Sequence, residues 1–240
     1  MAPLVFIFLL LNLNIYCSKC WSNAHNDIPS TCDGFVYGNK RSKFNPDAIM
    51  IEAFLDPVCP ESRDSWPLLK QAIQFYGPRV SLIVHTFPLP YHDNSFVTSR
   101  ALHIVNELNP SATFPLLEEF FKEQEKYYAI NTEDKTKRAI VKEVINTVVR
   151  VTGKKYYSKV KSAFDDRGTD LKTRAAFKNG ASRRVSGTPT FFINGCMNKN
   201  AIDITDINGW RRILDPLFSS SKKRNGWRHF CAGEQEDTLH

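Results

Sequence analysis

Apolar residues in this chain fall into short continuous runs and helical stripes, and their order predicts a mixed α/β protein. Residues 48–55 and 80–87 are nearly continuous apolar runs, which is typical of buried strands. Between them, apolar residues recur with a helical period from residue 62 to residue 76, where Gly77 and Pro78 end the helix. Because a strand–helix–strand crossover usually joins parallel strands, we expect these two strands to pair in parallel.

The region from 95 to 184 is predicted to be helical throughout. Strand signals return at 189–193, Asn194-Gly195 is a strong hairpin signal, and a closing helix is predicted over 207–217. The order β-α-β, helices, β-β-α predicts one sheet made from two halves of the chain, with an all-helical insertion between them. The insertion's apolar residues form three helical stripes: Phe96, Leu102 and Val105; Phe114, Leu117 and Phe121; Ile140, Val144, Val148 and Val151.

These patterns divide the chain into six segments. The predicted segments are a signal peptide at 1–24, an N-terminal segment with an edge strand at 25–47, the first half of the sheet domain at 48–94, the helical insertion at 95–184, the second half of the sheet domain at 185–218, and a flexible basic tail at 219–240.

The N-terminal 18 residues carry no charged side chain, and residues 4–11 are an unbroken apolar run. This run is shorter than the roughly 20 residues that span a bilayer, and its length is typical of a secretory signal, although a basic n-region is missing. Small residues favour cleavage after Cys20 or Ala24. A buried N-terminal element or a short anchor is the alternative. We expect the mature chain in the secretory pathway, whether extracellular, vacuolar or in the ER lumen, with no membrane span.

Composition narrows the function classes only slightly. Apolar residues make up 42% of the chain and charged residues 24%, which argues against disorder, collagen and a multi-span membrane protein. The formal net charge of +7 is a mild excess, and we expect no nucleic-acid partner. His85, His92 and His103 lack the spacing of metal ligands, so no metal site is predicted. The sequence does not indicate an oligomeric state.

Six cysteines are too few for a small disulfide-stapled protein. We expect Cys196 on the order of 20 Å from Pro189, given the rise of an extended strand, and therefore too distant to act on a thiol there. A bridge between Cys32 and Cys231 would tie the two ends together, but spacing does not determine connectivity. After signal cleavage four cysteines remain: Cys32, Cys59, Cys196 and Cys231.

Cys59 lies between the first strong strand and its helix. A helix N-terminus offers free backbone N–H groups and the positive end of the helix dipole, and both favour the nucleophilic thiolate. Pro60 suits the first helical turn, and Ser62 can donate its hydroxyl to the sulfur but cannot form a disulfide. The nearby carboxylates of Asp56 and Glu61 would oppose the thiolate. We therefore expect a mild depression of the Cys59 pKa. An inert buried thiol is the alternative.

The motif Cys59-Pro60-Glu61-Ser62 between a strand and a helix, with the later run Gly187-Thr188-Pro189 before a strand, resembles the thioredoxin superfamily. The most similar branch is the DsbA-like one, whose thioredoxin fold carries a helical insertion. The resemblance covers roughly residues 49–218. It implies an α/β thioredoxin-like fold, with Pro189 in a cis peptide bond facing Cys59.

The resemblance also implies roles for individual residues. Cys59 would be the nucleophile, and the backbone of Thr188, in the loop with Gly187 and Pro189, would pair with an extended peptide. Glu52 lies at a strand position where related proteins often keep an acidic residue, and it would relay protons to Cys59. The alternative is that Glu52 is simply a satisfied polar residue.

Ser62 departs from the family, because the disulfide oxidases and reductases use a second cysteine at this position. Three functions stay open. The first is a monothiol oxidoreductase acting on protein or peptide thiols, with no bound cofactor and with glutathione as a co-substrate. The second is a non-catalytic peptide-binding or chaperone-like module. The third is a glutathione-dependent transferase or isomerase similar to the kappa class.

Overall fold

The computed structural model describes residues 33–38 and 48–220, with the side chains of 219 and 220 left out. The predicted signal peptide, the basic tail beyond residue 220 and the Cys32–Cys231 bridge lie outside the described residues. Cys59 is a free thiol, whereas Cys196 is disulfide-bonded. Cys196 therefore offers no free thiol to Cys59.

The described part of the chain forms five strands, seven α-helices and several 3₁₀ turns. The strands are β1 (Phe35–Val36), β2 (Ile49–Leu55), β3 (Val80–Thr86), β4 (Thr190–Ile193) and β5 (Cys196–Met197). The helices are α1 (Pro60–Tyr76), α2 (Ser95–Leu108), α3 (Thr113–Lys122), α4 (Lys137–Thr152), α5 (Tyr157–Asp165), α6 (Arg167–Ser182) and α7 (Ile207–Ser220).

The strands form one mixed sheet in the order β1-β3-β2-β4-β5. As predicted, β2 and β3 pair in parallel, from Ile49 opposite Val80 to Leu55 opposite Thr86. β4 is antiparallel to β2, and β5 returns from it through the Asn194-Gly195 hairpin, in which both residues have positive φ angles. The two halves of the chain thus meet between β2 and β4.

Helices cover both faces of this sheet. On one face α1 and α7 pack together, since the Tyr76 hydroxyl of α1 donates to Asp215 of α7 at 2.5 Å and Trp210 lies edge-on to Phe191 of β4. On the other face α6 packs against the sheet, where Phe177 stacks on Phe87. This is the thioredoxin-like α/β architecture that the sequence predicts.

The inserted helices bury most of the three predicted apolar stripes, whereas Phe96, Phe114 and Val151 are only partly buried. Leu102, Leu117 and Val144 are at most 2% exposed and belong to the same core as the sheet. The segment is less regular than the pattern predicts, because 3₁₀ turns at Pro110–Ala112, Gln124–Tyr127, Ala129–Asn131 and Lys154–Tyr156 separate its helices. Pro110 contributes to the first break, since a proline has no N–H to continue α2.

Gly180 of α6 is required for the approach of that helix to the sheet. A Cβ at this position would lie 2.6 Å from Cδ2 of Phe87 and 3.2 Å from Cδ1 of Phe54.

We expect Gly180→Ala to lower the free energy of unfolding by about 1–3 kcal/mol, the cost of overpacking a core. Urea unfolding measures it, with Ser182→Ala on the same helix as control. A stabilisation of about 1 kcal/mol, as helix propensity alone gives, would contradict this packing.

Candidate active site

The candidate active site begins where β2 ends and α1 starts. Cys59 is the N-cap of α1, with an extended backbone, and Pro60 is the first helical residue. The Cys59 N–H donates to the Asp56 carbonyl at 3.1 Å, and the Cys59 carbonyl accepts from the Arg63 N–H at 3.1 Å. The chain therefore turns directly from the strand into the helix, with the thiol at the end where free N–H groups lie.

The carboxylate of Asp56 is completely buried and holds this turn in place. Its Oδ1 accepts from the Val58 N–H at 2.8 Å and from the Ser95 hydroxyl at 2.5 Å. Its Oδ2 accepts from the Leu89 N–H at 3.0 Å and lies 2.8 Å from Nδ1 of His92. The active-site turn is thereby joined to the loop after β3 and to the start of the insertion.

The insertion also reaches the turn through Gln124, which is 1% exposed. Its side-chain amide donates to the carbonyls of Pro57 and Cys59 at 3.0 and 2.9 Å, and its own oxygen accepts from the Tyr128 hydroxyl. The Pro57 carbonyl thereby gains a donor, and the Cys59 carbonyl accepts from Gln124 in addition to the Arg63 N–H. Sequence reasoning missed Gln124 and the anchoring role of Asp56.

The loop before β4 brings Thr188 against the thiol. The Thr188–Pro189 peptide bond is cis, and the Sγ of Cys59 lies 3.2 Å from the Thr188 carbonyl oxygen. The Thr190 hydroxyl donates to the Gly187 carbonyl at 2.8 Å and fixes the turn of this loop. Residues 129 positions apart in sequence are thus in direct contact.

The Cys59 thiol also lies 3.0 Å from Oε2 of Glu61, as donor to that carboxylate, and the residue is 1% exposed. Burial raises the pKa of Cys59, and the hydrogen bond to Glu61 raises it further. The side chain of Thr188 and the hydrogen-bond donors of Ser62 lower the pKa, but they offset only part of these two increases. The prediction of a mildly depressed pKa is therefore wrong. The sequence shows the helix N-terminus and Glu61, but it does not show how deeply the sulfur is buried.

Ser62, in the first turn of α1, is completely buried. Its Oγ accepts from the Asp56 N–H at 3.2 Å, which leaves its own proton free to donate. Both the backbone N–H and the hydroxyl of Ser62 hydrogen-bond to the Cys59 sulfur and favour its thiolate. Ser62 thus supplies hydrogen-bond donors that lower the pKa of the Cys59 thiol.

Glu52 belongs to a separate buried polar cluster on the α6 face of the sheet. Its two oxygens accept from Arg183 at 2.5 and 2.8 Å, and Nε2 of His85 lies 3.2 Å away. Burial alone would raise the pKa of Glu52, but Arg183 and His85 lower it to about 2. A carboxylate held ionised in this way is a poor proton donor, which argues against a proton relay to Cys59.

Arg183 explains why this charge is tolerated inside the fold. Its guanidinium lies 4.1 Å from the ring centre of Phe192 while it pairs with both oxygens of Glu52. His85 is also 3.3 Å from Asp33. Burial alone would lower the pKa of His85, but these two carboxylates raise it. The cluster joins β2 and β3 to the residues just before β1 and just after α6, and sequence reasoning did not find Arg183.

Among residues 33–38 and 48–220, no group of three or more His, Cys, Asp or Glu side chains is arranged to hold a metal ion. In the same residues no helix combines the length and apolar character needed to cross a membrane.

Comparison with known proteins agrees with this geometry. A thioredoxin family model matches residues 33–215, and the chain therefore belongs to the thioredoxin family. Among curated proteins, none matches the sequence.

Solved structures share the fold at low sequence identity. MdbA, a thiol-disulfide oxidoreductase from Actinomyces oris, is 18% identical with a TM-score of 0.58, over 77% of this chain and 85% of that one. Oxidised BdbD from Bacillus subtilis is 14% identical with a TM-score of 0.59, over 78% and 94%. A periplasmic thioredoxin-like protein from Salmonella enterica serovar Typhimurium is 19% identical with a TM-score of 0.53, over 78% and 91%. At these identities the likeness establishes the fold, a thioredoxin domain with a helical insertion.

Glu52→Gln tests the buried cluster. The substitution leaves the buried Arg183 guanidinium without its counter-ion. We therefore expect the free energy of unfolding at pH 7 to fall by about 3 kcal/mol. Because the pKa of Glu52 is lowered from 4.5 to about 2, its stabilisation is complete above pH 4.5 and is lost as the pH falls through 2. Urea unfolding over pH 2–7 should show a larger acid-dependent loss in the wild type than in the variant, which lacks the part due to Glu52. An equal pH dependence would contradict the assignment.

Glu61→Gln tests the environment of the thiol. Removing the carboxylate charge removes one cause of the raised Cys59 pKa, so the variant should be alkylated faster at pH 7 and titrate at lower pH. We expect a rate increase of about tenfold, which corresponds to one pKa unit. Iodoacetamide modification followed by intact mass measures it. An unchanged or slower rate would show that Glu61 does not act on the sulfur.

Proposed function

We propose that this protein is a monothiol thiol-disulfide oxidoreductase of the secretory pathway, with Cys59 as its reacting group. The observation that carries the proposal is the contact of the Cys59 sulfur with the Thr188 carbonyl, at 3.2 Å and beside a cis proline. The helix N-terminus at Cys59 and membership of the thioredoxin family support the same reading.

The chemistry is exchange between the Cys59 thiol and a substrate disulfide. The Cys59 sulfur attacks one sulfur of the disulfide, a mixed disulfide forms, and the other sulfur leaves as a thiol that carries the proton lost by Cys59. Cys59 is thereby oxidised and the leaving sulfur reduced. Ser62 cannot attack the mixed disulfide, so an external small thiol such as glutathione must release Cys59.

Substrate binding is assigned to the loop of Gly187, Thr188 and Pro189. The backbone of Thr188 faces the sulfur, where an extended peptide carrying a cysteine could pair with it as an added strand. This makes protein and peptide thiols the partners, with glutathione as co-substrate. The signal-like residues 1–24 support an oxidising compartment, in which such exchange is useful.

A second function is favoured by the burial of the thiol. Cys59 is 1% exposed and hydrogen-bonded to Glu61, and both features slow attack on a disulfide. The loop of Gly187, Thr188 and Pro189 would then bind extended peptides without turnover. This peptide-binding module predicts client binding that survives the loss of Cys59.

Cys59→Ser and Ser62→Cys distinguish the two functions. Incubated with glutathione disulfide, the wild type should gain one glutathione by intact mass and lose it on addition of free thiol, whereas Cys59→Ser should gain none. Ser62→Cys restores a resolving thiol and should raise insulin-reduction activity at least about tenfold, a barrier change of about 1.4 kcal/mol. If the wild type forms no glutathione adduct even at alkaline pH, the proposed oxidoreductase function is wrong and the peptide-binding function remains.

A further inference from the structure

Glu61 is the charged side chain in direct contact with the reacting sulfur. Its Oε2 accepts the Cys59 thiol hydrogen bond at 3.0 Å, and the residue is exposed on the first turn of α1. This hydrogen bond lowers the pKa of Glu61, so the carboxylate is charged at neutral pH. The sulfur therefore lies between a buried apolar pocket and a negative charge that solvent can reach.

The charge of Glu61 is not neutralised by a salt bridge within residues 33–38 and 48–220. Arg63, two residues along α1, is engaged with Asp64 at 2.8 Å. His92 lies 2.8 Å from the buried carboxylate of Asp56. Within the described residues Glu61 therefore has no cationic partner in a salt bridge. A bound molecule with a positive charge can supply one.

Such a cation would change the reactivity of the thiol. A positive charge beside Glu61 cancels the negative field at the sulfur and competes for the carboxylate that accepts the thiol hydrogen bond. A negative charge in the substrate would add to the repulsion. Because Oε2 of Glu61 lies 3.0 Å from the sulfur, a disulfide that reacts with Cys59 brings its own sulfur close to this carboxylate.

We propose that Glu61 makes this site selective for disulfides that carry a positive charge near the reacting sulfur, such as a half-cystine flanked by lysine or arginine. The cationic group pairs with the Glu61 carboxylate and so activates the thiol that the carboxylate otherwise restrains. This inference rests on the proposed exchange at Cys59 and names its substrate class.

The step balances as an ordinary exchange. The Cys59 S–H bond and the substrate S–S bond break, and a new S–S bond forms between Cys59 and the sulfur nearer the cation. The sulfur that leaves takes up the electron pair and, through solvent, the proton from Cys59. No other oxidant or reductant is needed.

Three small disulfides of different charge test the selectivity. Cystamine carries two positive charges, 2-hydroxyethyl disulfide is neutral, and 3,3′-dithiodipropionate carries two negative charges. Each rate with the full chain at pH 7 is divided by the rate of the same probe with 2-mercaptoethanol, which removes intrinsic reactivity. We expect cystamine to exceed the neutral probe by about tenfold, and the anionic probe to be slowest, with the order weakening at high salt.

Two variants locate the effect. Glu61→Gln should react faster with the neutral probe and lose most of the preference for cystamine. Glu133→Gln makes the same substitution at an exposed residue outside the site, one that forms no salt bridge within the described residues, and should keep the preference. Equal normalised rates for the three probes, or a preference unchanged in Glu61→Gln, would overturn the selectivity while leaving the exchange reaction intact. A lack of reaction with every probe, at pH 7 and at alkaline pH, would overturn the proposed function as well.

Discussion

The buried carboxylate of Asp56 is the interaction on which the arrangement of the site depends. A charge in the interior is costly unless it is fully hydrogen-bonded, and Asp56 meets donors from the active-site turn, the loop after β3 and the first helix of the insertion. The sheet and the insertion are therefore joined at one group. Gln124 adds a second connection, through the carbonyl of Cys59 itself.

Opposing electrostatic effects meet at the sulfur. The N-terminus of α1 and the donors of Ser62 favour a thiolate, as in a reactive thioredoxin-like site. Burial and the Glu61 carboxylate favour the thiol, and they are the larger effects. In its resting state the chain thus holds Cys59 protonated, and Glu61 is the part of that restraint a substrate can reach.

The apolar pattern was enough to predict the architecture. The runs at 48–55 and 80–87 and the helical stripe between them predict a parallel pair, because a strand–helix–strand crossover usually joins parallel strands. The motif with Cys59 and the loop with Pro189 indicated the two parts of the site. The partners of Asp56 could not be predicted, since Leu89, His92 and Ser95 lie 33 to 39 residues away and only the folded loop brings them together. For the same reason the raised pKa of Cys59 could not be predicted, because the burial of its thiol depends on segments far along the chain.

The balance of these effects at the sulfur is measured by titrating the Cys59 thiolate through its ultraviolet absorbance, taken as the difference between the wild type and Cys59→Ser. We expect the thiolate to form only above the ordinary pKa of a cysteine, about 8.5. A transition clearly below that value would show that the helix N-terminus outweighs burial and Glu61, and that Cys59 is not held protonated.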